Sequence, residues 1–317
     1  MTSADEIASG LAATDLRAQP QAESPIQPDA VAATVQAARV AASAAGVHVR
    51  EVAELTELEA IYRLYDGIWR PDPKNPPVTT ELLRALSKAG NYVSGAYDGD
   101  ELVGACVGFF GAPAGTALHS HIAGVARAAL GRSVGFALKL HQRAWALQRG
   151  VSEIAWTFDP LVSRNAYFNL TKLAATAAEY LPNFYGGMND GINGSGDTDR
   201  LLVRWDLLAT DVVAACAGTI RAGGAEAERS RGAVVALARS GHGKPVGGPL
   251  AGGRLLMAVP PDIEALRAAD PACAQDWRAA TREVLGAVLA GGGRVTGFDK
   301  TGWYILTRPT GNEEQDR

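Results

Sequence analysis

The chain has 317 residues, 47% hydrophobic and 20% charged, ordinary for a globular protein and long enough for one large core or, as the better expectation, two smaller ones. Thirty basic residues against thirty-four acidic ones give a net charge of −4, which excludes the basic footprint of a nucleic-acid binder. No apolar run approaches the roughly 20 residues that span a bilayer, and three widely spaced cysteines, Cys106, Cys216 and Cys273, argue against a disulfide framework or a metal site.

The start lacks the basic and apolar regions of a secretory signal, so a cytoplasmic location with reduced thiols is expected. Residues 1–45 are rich in Ala, Gln, Ser and Pro. The first thirty read as disordered, and 31–45 as an Ala-rich helix without a clear buried face. Order begins with an alternating strand over 47–53. Thr56-Glu-Leu-Glu59 has capping-box spacing and opens a helix whose stripe is Leu58, Ile61, Tyr62 and Tyr65. The Pro-rich stretch 70–77 ends it, and Thr79 or Thr80 starts the next helix. Strands over 92–97 and 102–110 flank Asp98-Gly99, a strong hairpin signal.

Residues 118–172 organise the rest. An apolar strand, Leu118-His-Ser-His-Ile-Ala-Gly-Val125, runs through a small-residue loop into a helical pattern from Gly135 to Leu147. A second strand over 153–158 and a second helix over 163–172 follow. A turn that opens a helix presents unpaired N–H groups and the positive end of the dipole, a setting that suits phosphate. On the first strand His119 and His121 share a face, because positions i and i+2 point the same way. Neutral histidine near pH 7 can take a proton from an ammonium nucleophile, so the pair is a candidate base.

This order resembles the GNAT superfamily of acyl-CoA-dependent acyltransferases. The matching residues are the hairpin at Asp98-Gly99, the strand ending at Val125, the loop and helix at 131–138, Asn165-Ala166 and Lys172-Leu173. The resemblance implies an α/β (α+β) fold with a mixed sheet whose central strands splay apart for the pantetheine arm of acetyl-CoA or another acyl-CoA. It also implies coenzyme contacts from Ala123 and Val125 on the strand, from Leu130, Gly131, Arg132, Ser133, Val134, Gly135 and Ala137 at the loop, and from Asn165. The family's loop reads Arg/Gln-x-x-Gly-x-Gly/Ala and fits in two registers. One places Leu130, Ser133 and Gly135 at the marked positions; the other places Arg132, Gly135 and Ala137 there. The first is preferred, since Ala137-Leu138 then falls on the family's small-apolar pair.

The family's general acid is a tyrosine on the second helix, and Leu170 stands at that position. Tyr167, nearly one turn earlier, is the candidate donor in its place. The His-Ser-His strand, the Asp159 to Asn169 run and the C-terminal extension further resemble a subgroup of predicted acyltransferases. The implied activity is acyl transfer to the amine of a small molecule or amino acid. A noncatalytic acyl-CoA-binding module, or an acyl-CoA decarboxylase or hydrolase, stays open as an alternative. The implied partner is that amine, without nucleic acid, membrane or metal, and a homodimer stays open.

The domain organisation expected is residues 46–208 as the acyl-CoA-binding domain and 209–317 as a smaller α+β extension. Residues 189–199 are a loop, and 201–205 the strand that closes the first domain. The stretch 223–253, broken by Gly and Pro, reads as a weakly structured, flexible insertion. A strand over 254–260, helices at 262–267 and 274–289, and a hairpin over 295–306 follow. Arg278 and Arg282 share a helix face and read as exposed basic residues, with a paired clamp on a carboxylate as the alternative.

Overall fold

A computed structural model describes residues 26–71, 76–113, 115–186, 196–219 and 223–309. The expected disorder of the first thirty residues falls almost entirely outside them, as does most of the loop over 189–199. The first unit runs α1 (Pro28–Ala44), β1 (His48–Glu51), α2 (Leu55–Trp69), α3 (Thr80–Lys88), β2 (Tyr92–Asp98), β3 (Glu101–Phe110), β4 (Leu118–Val125) and α4 (Val134–Gln148). It continues through β5 (Glu153–Phe158), α5 (Ser163–Ala166), β6 (Thr176–Leu181) and β7 (Arg200–Asp206). The second unit is α6 (Thr210–Cys216), α7 (Ala225–Ser230), β8 (Val234–Arg239), β9 (Pro245–Gly247), β10 (Arg254–Ala258), α8 (Ile263–Ala269), α9 (Pro271–Ala290), β11 (Arg294–Asp299) and β12 (Trp303–Thr307).

Seven strands form the first sheet in the order β1-β2-β3-β4-β5-β7-β6. All neighbours are antiparallel except β4 and β5, which pair in parallel only at Leu118↔Ile154 and His119↔Ala155. Beyond those two positions the strands part, and this fork is the defining feature of the sheet. Alternation sends Tyr92, Cys106 and Leu118 to the face covered by α4, and Val93, Ala105 and Val107 to the face covered by α2 and α3. Five strands in the order β11-β12-β10-β8-β9 make the smaller sheet. No helix among the described residues is long and apolar enough to cross a membrane.

Several expectations need correction. Helix α1 starts at Pro28, buries Thr34 and Ala38, and packs along α4. Its buried face is built from small residues, which carry little hydrophobic contrast, so it was invisible as a stripe. Helix α2 starts at Leu55 without a side-chain cap. Glu59, the reciprocal partner of a box on Thr56, lies 4.0 Å from Arg63 instead. For α3 the expectation holds, with the Thr79 hydroxyl accepting from the Leu82 amide at 3.2 Å. The stretch 223–253 carries α7, β8 and β9, and β8 lies inside the second sheet, parallel to β10. Its Ala236 and Leu237 are fully buried, so burial overrides a weak local pattern.

The helix expected over 163–172 is α5 followed by a wider, π-type turn over Tyr167–Lys172. Asn169 within that turn accepts from the Trp156 indole at 3.2 Å, and Ala174 beyond it takes φ 53°. Arg278 and Arg282 are not an exposed basic face. Arg278 grips both oxygens of Asp159 at 2.8 Å, and Arg282 pairs with Asp199 and Asp197. These carboxylates belong to the first unit, so the two arginines of α9 lock the units together. Tyr304 adds a buried bond to the Pro160 carbonyl at 2.7 Å, and the Thr171 hydroxyl one to the Phe298 carbonyl at 2.7 Å.

Candidate active-site cleft

The fork between β4 and β5 opens into a cleft of about 850 Å³. One wall is β4 from His121 to Val125 with the loop and first turn of α4; the other is Thr157 to Asp159 with Asn165, Phe168 and Lys172. Helix α2 roofs it with Ile68 and Trp69. That roof demands glycine at position 124, where a Cβ would come within 2.7 Å of the Trp69 ring and 2.8 Å of Ile68. A Gly124→Ala substitution should therefore displace the Trp69 and Ile68 side chains, seen as lowered thermal stability.

β4 presents backbone to this cleft. The Ala126 amide donates to the Val103 carbonyl on β3 at 2.8 Å. Strand alternation turns Gly124 the same way, and so aims the N–H and C=O groups of Ala123 and Val125 into the gap. At the end of β4 a single 3₁₀ turn over Arg127–Ala129 leads to Gly131 at φ 82° and Ser133 at φ 64°. Two left-handed residues so close together swing the chain back to start α4, and Gly131 takes that conformation without strain. The Phe136 and Ala137 amides already donate to the Ser133 carbonyl at 3.0 and 3.1 Å. Those of Val134 and Gly135 have no acceptor among the described residues, and both residues line the cleft.

Of the residues singled out in the sequence, the cleft brings together His121, Ala123, Val125, Leu130, Gly131, Ser133, Val134, Gly135 and Asn165. Four others lie elsewhere. Arg132 turns outward, holding Asp98 at 2.8 Å and the carbonyls of Ala45 and Gly46 at 3.3 Å. Ala137 is fully buried one turn beneath the cleft floor. His119 shares the face of His121 but lies behind it, its ring 5.0 Å from that of Phe109 and 6.2 Å from that of His121. Tyr167 does not reach the cleft, because the wide turn directs its ring toward the second unit, where the Lys300 ammonium stands 5.2 Å above it.

Burial lowers the pKa of His121 below the ordinary histidine value, against an opposing pull from the Pro77 backbone. His119 is lowered by burial first, then by the nearby His121 and Lys139. Both imidazoles are thus neutral at pH 7 and able to accept a proton. Sequence reasoning missed the second unit's contribution to this cleft. Glu264 of α8 lines it and holds Arg164 of α5 through two bonds of 2.9 and 2.6 Å. A separation of 100 residues leaves no local signal for such a pair.

The outward Arg132 carries a prediction. Its pair with Asp98 is exposed, so Arg132→Ala should change acyl-CoA affinity by less than about twofold, as measured by titration calorimetry.

Residues 32–167 match the family model described as an acetyltransferase (GNAT) domain. No curated protein sequence matches significantly. Among solved structures, yncA from Salmonella typhimurium, solved with its cofactor acetyl-CoA, is 15% identical, with 51% of this chain and 95% of that one covered at a TM-score of 0.42. The ribosomal-protein-S18-alanine N-acetyltransferase from Escherichia coli is 12% identical over 52% of this chain and 96% of its own, with a TM-score of 0.42. The aminoglycoside 6'-N-acetyltransferase from Enterococcus faecium is 16% identical over 51% and 98%, with a TM-score of 0.39.

Proposed function

We propose that this chain, whose residues 32–167 match the model of an acetyltransferase (GNAT) domain, moves an acyl group from acetyl-CoA or another short acyl-CoA to the amine of a small molecule or amino acid. The carrying observation is the cleft of about 850 Å³ at the strand fork, lined by β4 on one side and by the start of α4 at its mouth. The Val134 and Gly135 amides face the pyrophosphate at the start of α4, where the helix dipole favours anions. Ala123 and Val125 offer the backbone groups an extended pantetheine arm pairs with, much as an added strand would. Asn165 on the far wall is placed for the same arm.

At the narrow end His121 faces the α2 and α3 side, where the amine would enter. The amine nitrogen attacks the thioester carbonyl carbon, its proton passes to the neutral His121 imidazole directly or through one water, and the C–S bond breaks with the electron pair on sulfur. Holding amine and thioester together removes most of the entropic cost of their encounter.

The test is thiol release from acetyl-CoA and longer acyl-CoAs, with and without a library of small amines. Release that requires an amine, with the acylated amine found by mass, is the expected result. Release without an amine would make the protein a hydrolase or decarboxylase. Binding without release would make it an acyl-CoA-binding module.

A further inference from the structure

Lys139, in the second turn of α4, is buried at 4% exposure beneath the fork. Its ammonium donates to the Ser120 hydroxyl on β4 at 3.0 Å and to the Gln142 carbonyl oxygen at 2.9 Å, and lies 3.7 Å from the centre of the Trp156 ring on β5. It therefore bridges the two strands at the first position where they part. No carboxylate among the described residues forms an ion pair with it. The groups facing it are Cys106 from β3 and His119 from β4, with the Trp205 ring of β7 at 5.8 Å and Gln142 from its own helix.

A buried cation without a counter-ion is costly unless a function keeps it. Gln142 adds a second cost. It is fully buried, and by turning its carbonyl oxygen to Lys139 it leaves its own Nε2 without a partner. The surroundings are therefore arranged for a charged ammonium. A compact positive charge held in a low-dielectric fork stabilises negative charge developing beside it, without reorganisation.

We propose that Lys139 is a positioning residue whose ammonium, fixed by Ser120, Gln142 and Trp156, stabilises the coenzyme A thiolate as the C–S bond breaks at the narrow end of the cleft. This inference rests on the acyl-transfer reading. Electrons and protons balance without Lys139 itself reacting: sulfur leaves with the bonding pair, the amine's proton goes to His121, and the thiolate takes a proton from solvent on release.

The sign of the pH dependence follows. Burial lowers the Lys139 pKa to about 8, so the ammonium is present at neutral pH and lost as pH rises through that value. Turnover at saturating substrates should fall above pH 8 in the wild type. In Lys139→Met, which keeps an unbranched side chain one atom shorter and removes the charge, turnover at pH 7 should drop about tenfold or more. KM for acyl-CoA should hold, and the alkaline fall should vanish. The melting temperature should not drop, because Met relieves an unpaired buried charge.

Lys139→Gln gives a second neutral side chain if Met disturbs packing, and the pH profile is read on whatever activity remains. An alkaline fall that persists in both variants, or wild-type turnover in either, overturns the proposal. If the wild type itself releases no coenzyme A, the acyl-transfer reading fails first, and with it this inference.

Discussion

Asp159→Ala is expected to cost about 3–5 kcal/mol of stability, the usual penalty for removing one partner of a buried ion pair. Asp159 is 7% exposed and receives both bonds of Arg278, a further bond from Arg267, and the Leu161 amide at 3.0 Å. Its loss strands a guanidinium whose side chain is 10% exposed between the two units. Urea unfolding should show the drop. Replacing Asp159, Arg267 and Arg278 together by apolar residues should cost less than Asp159→Ala alone, since no orphaned charge remains.

The same cluster sets an acid limit. Burial pushes the Asp159 carboxyl upward, but Arg278 and then Arg267 outweigh it and hold it well below the usual carboxylate range. A carboxyl lowered in the folded state contributes stability that is fully present above its unfolded pKa and is lost as pH falls toward the folded one. The stability gap between wild type and Asp159→Ala should therefore be constant above about pH 5 and narrow only below the ordinary aspartate pKa of about 3.9.

His121→Asn should lower turnover by at least about tenfold at pH 7 while acyl-CoA affinity holds, since general bases contribute about 10²–10⁴-fold and a water chain replaces part of that. Asparagine keeps a hydrogen-bonding group but cannot titrate. Because the folded environment lowers the His121 pKa, the wild-type acid limb should lie below the ordinary histidine value of about 6.5. That limb should disappear in the variant. His119→Asn, one position removed from the cleft, should change turnover much less. Near-normal turnover in His121→Asn would leave catalysis to positioning alone.

Much of the first unit was legible because its signals are local. Asp98-Gly99 marks the hairpin, the run from Leu118 to Val125 marks β4, and glycine followed by an apolar period marks α4. The two histidines two apart announced a shared face. What stayed hidden depends on contacts across the chain. The role of Asp159 left no local signal because its partner Arg278 lies 119 residues away. Tyr167 was misplaced because counting at 3.6 residues per turn fails across a π-type turn, whose cause is tertiary. The β8 strand was hidden because short Ala and Val runs between glycines bury well only once a sheet exists around them. Lys139 left a trace that could have been followed, a lysine flanked by Leu138 and Leu140 in the helix.

The central claim is that acyl-CoA lies in the fork with its pyrophosphate against the first turn of α4, and Gly135→Val tests it most directly. A Cβ at Gly135 would meet only the Val125 side chain, at 3.8 Å, so the variant should fold with an unchanged circular dichroism spectrum and melting temperature within a few degrees. The added side chain would stand where the phosphates must approach the backbone. Calorimetric titration with acetyl-CoA should show binding to the wild type and at least about a tenfold loss, or about 1.4 kcal/mol, in the folded variant. Equal affinity in the two proteins, or no binding by the wild type, would contradict the account.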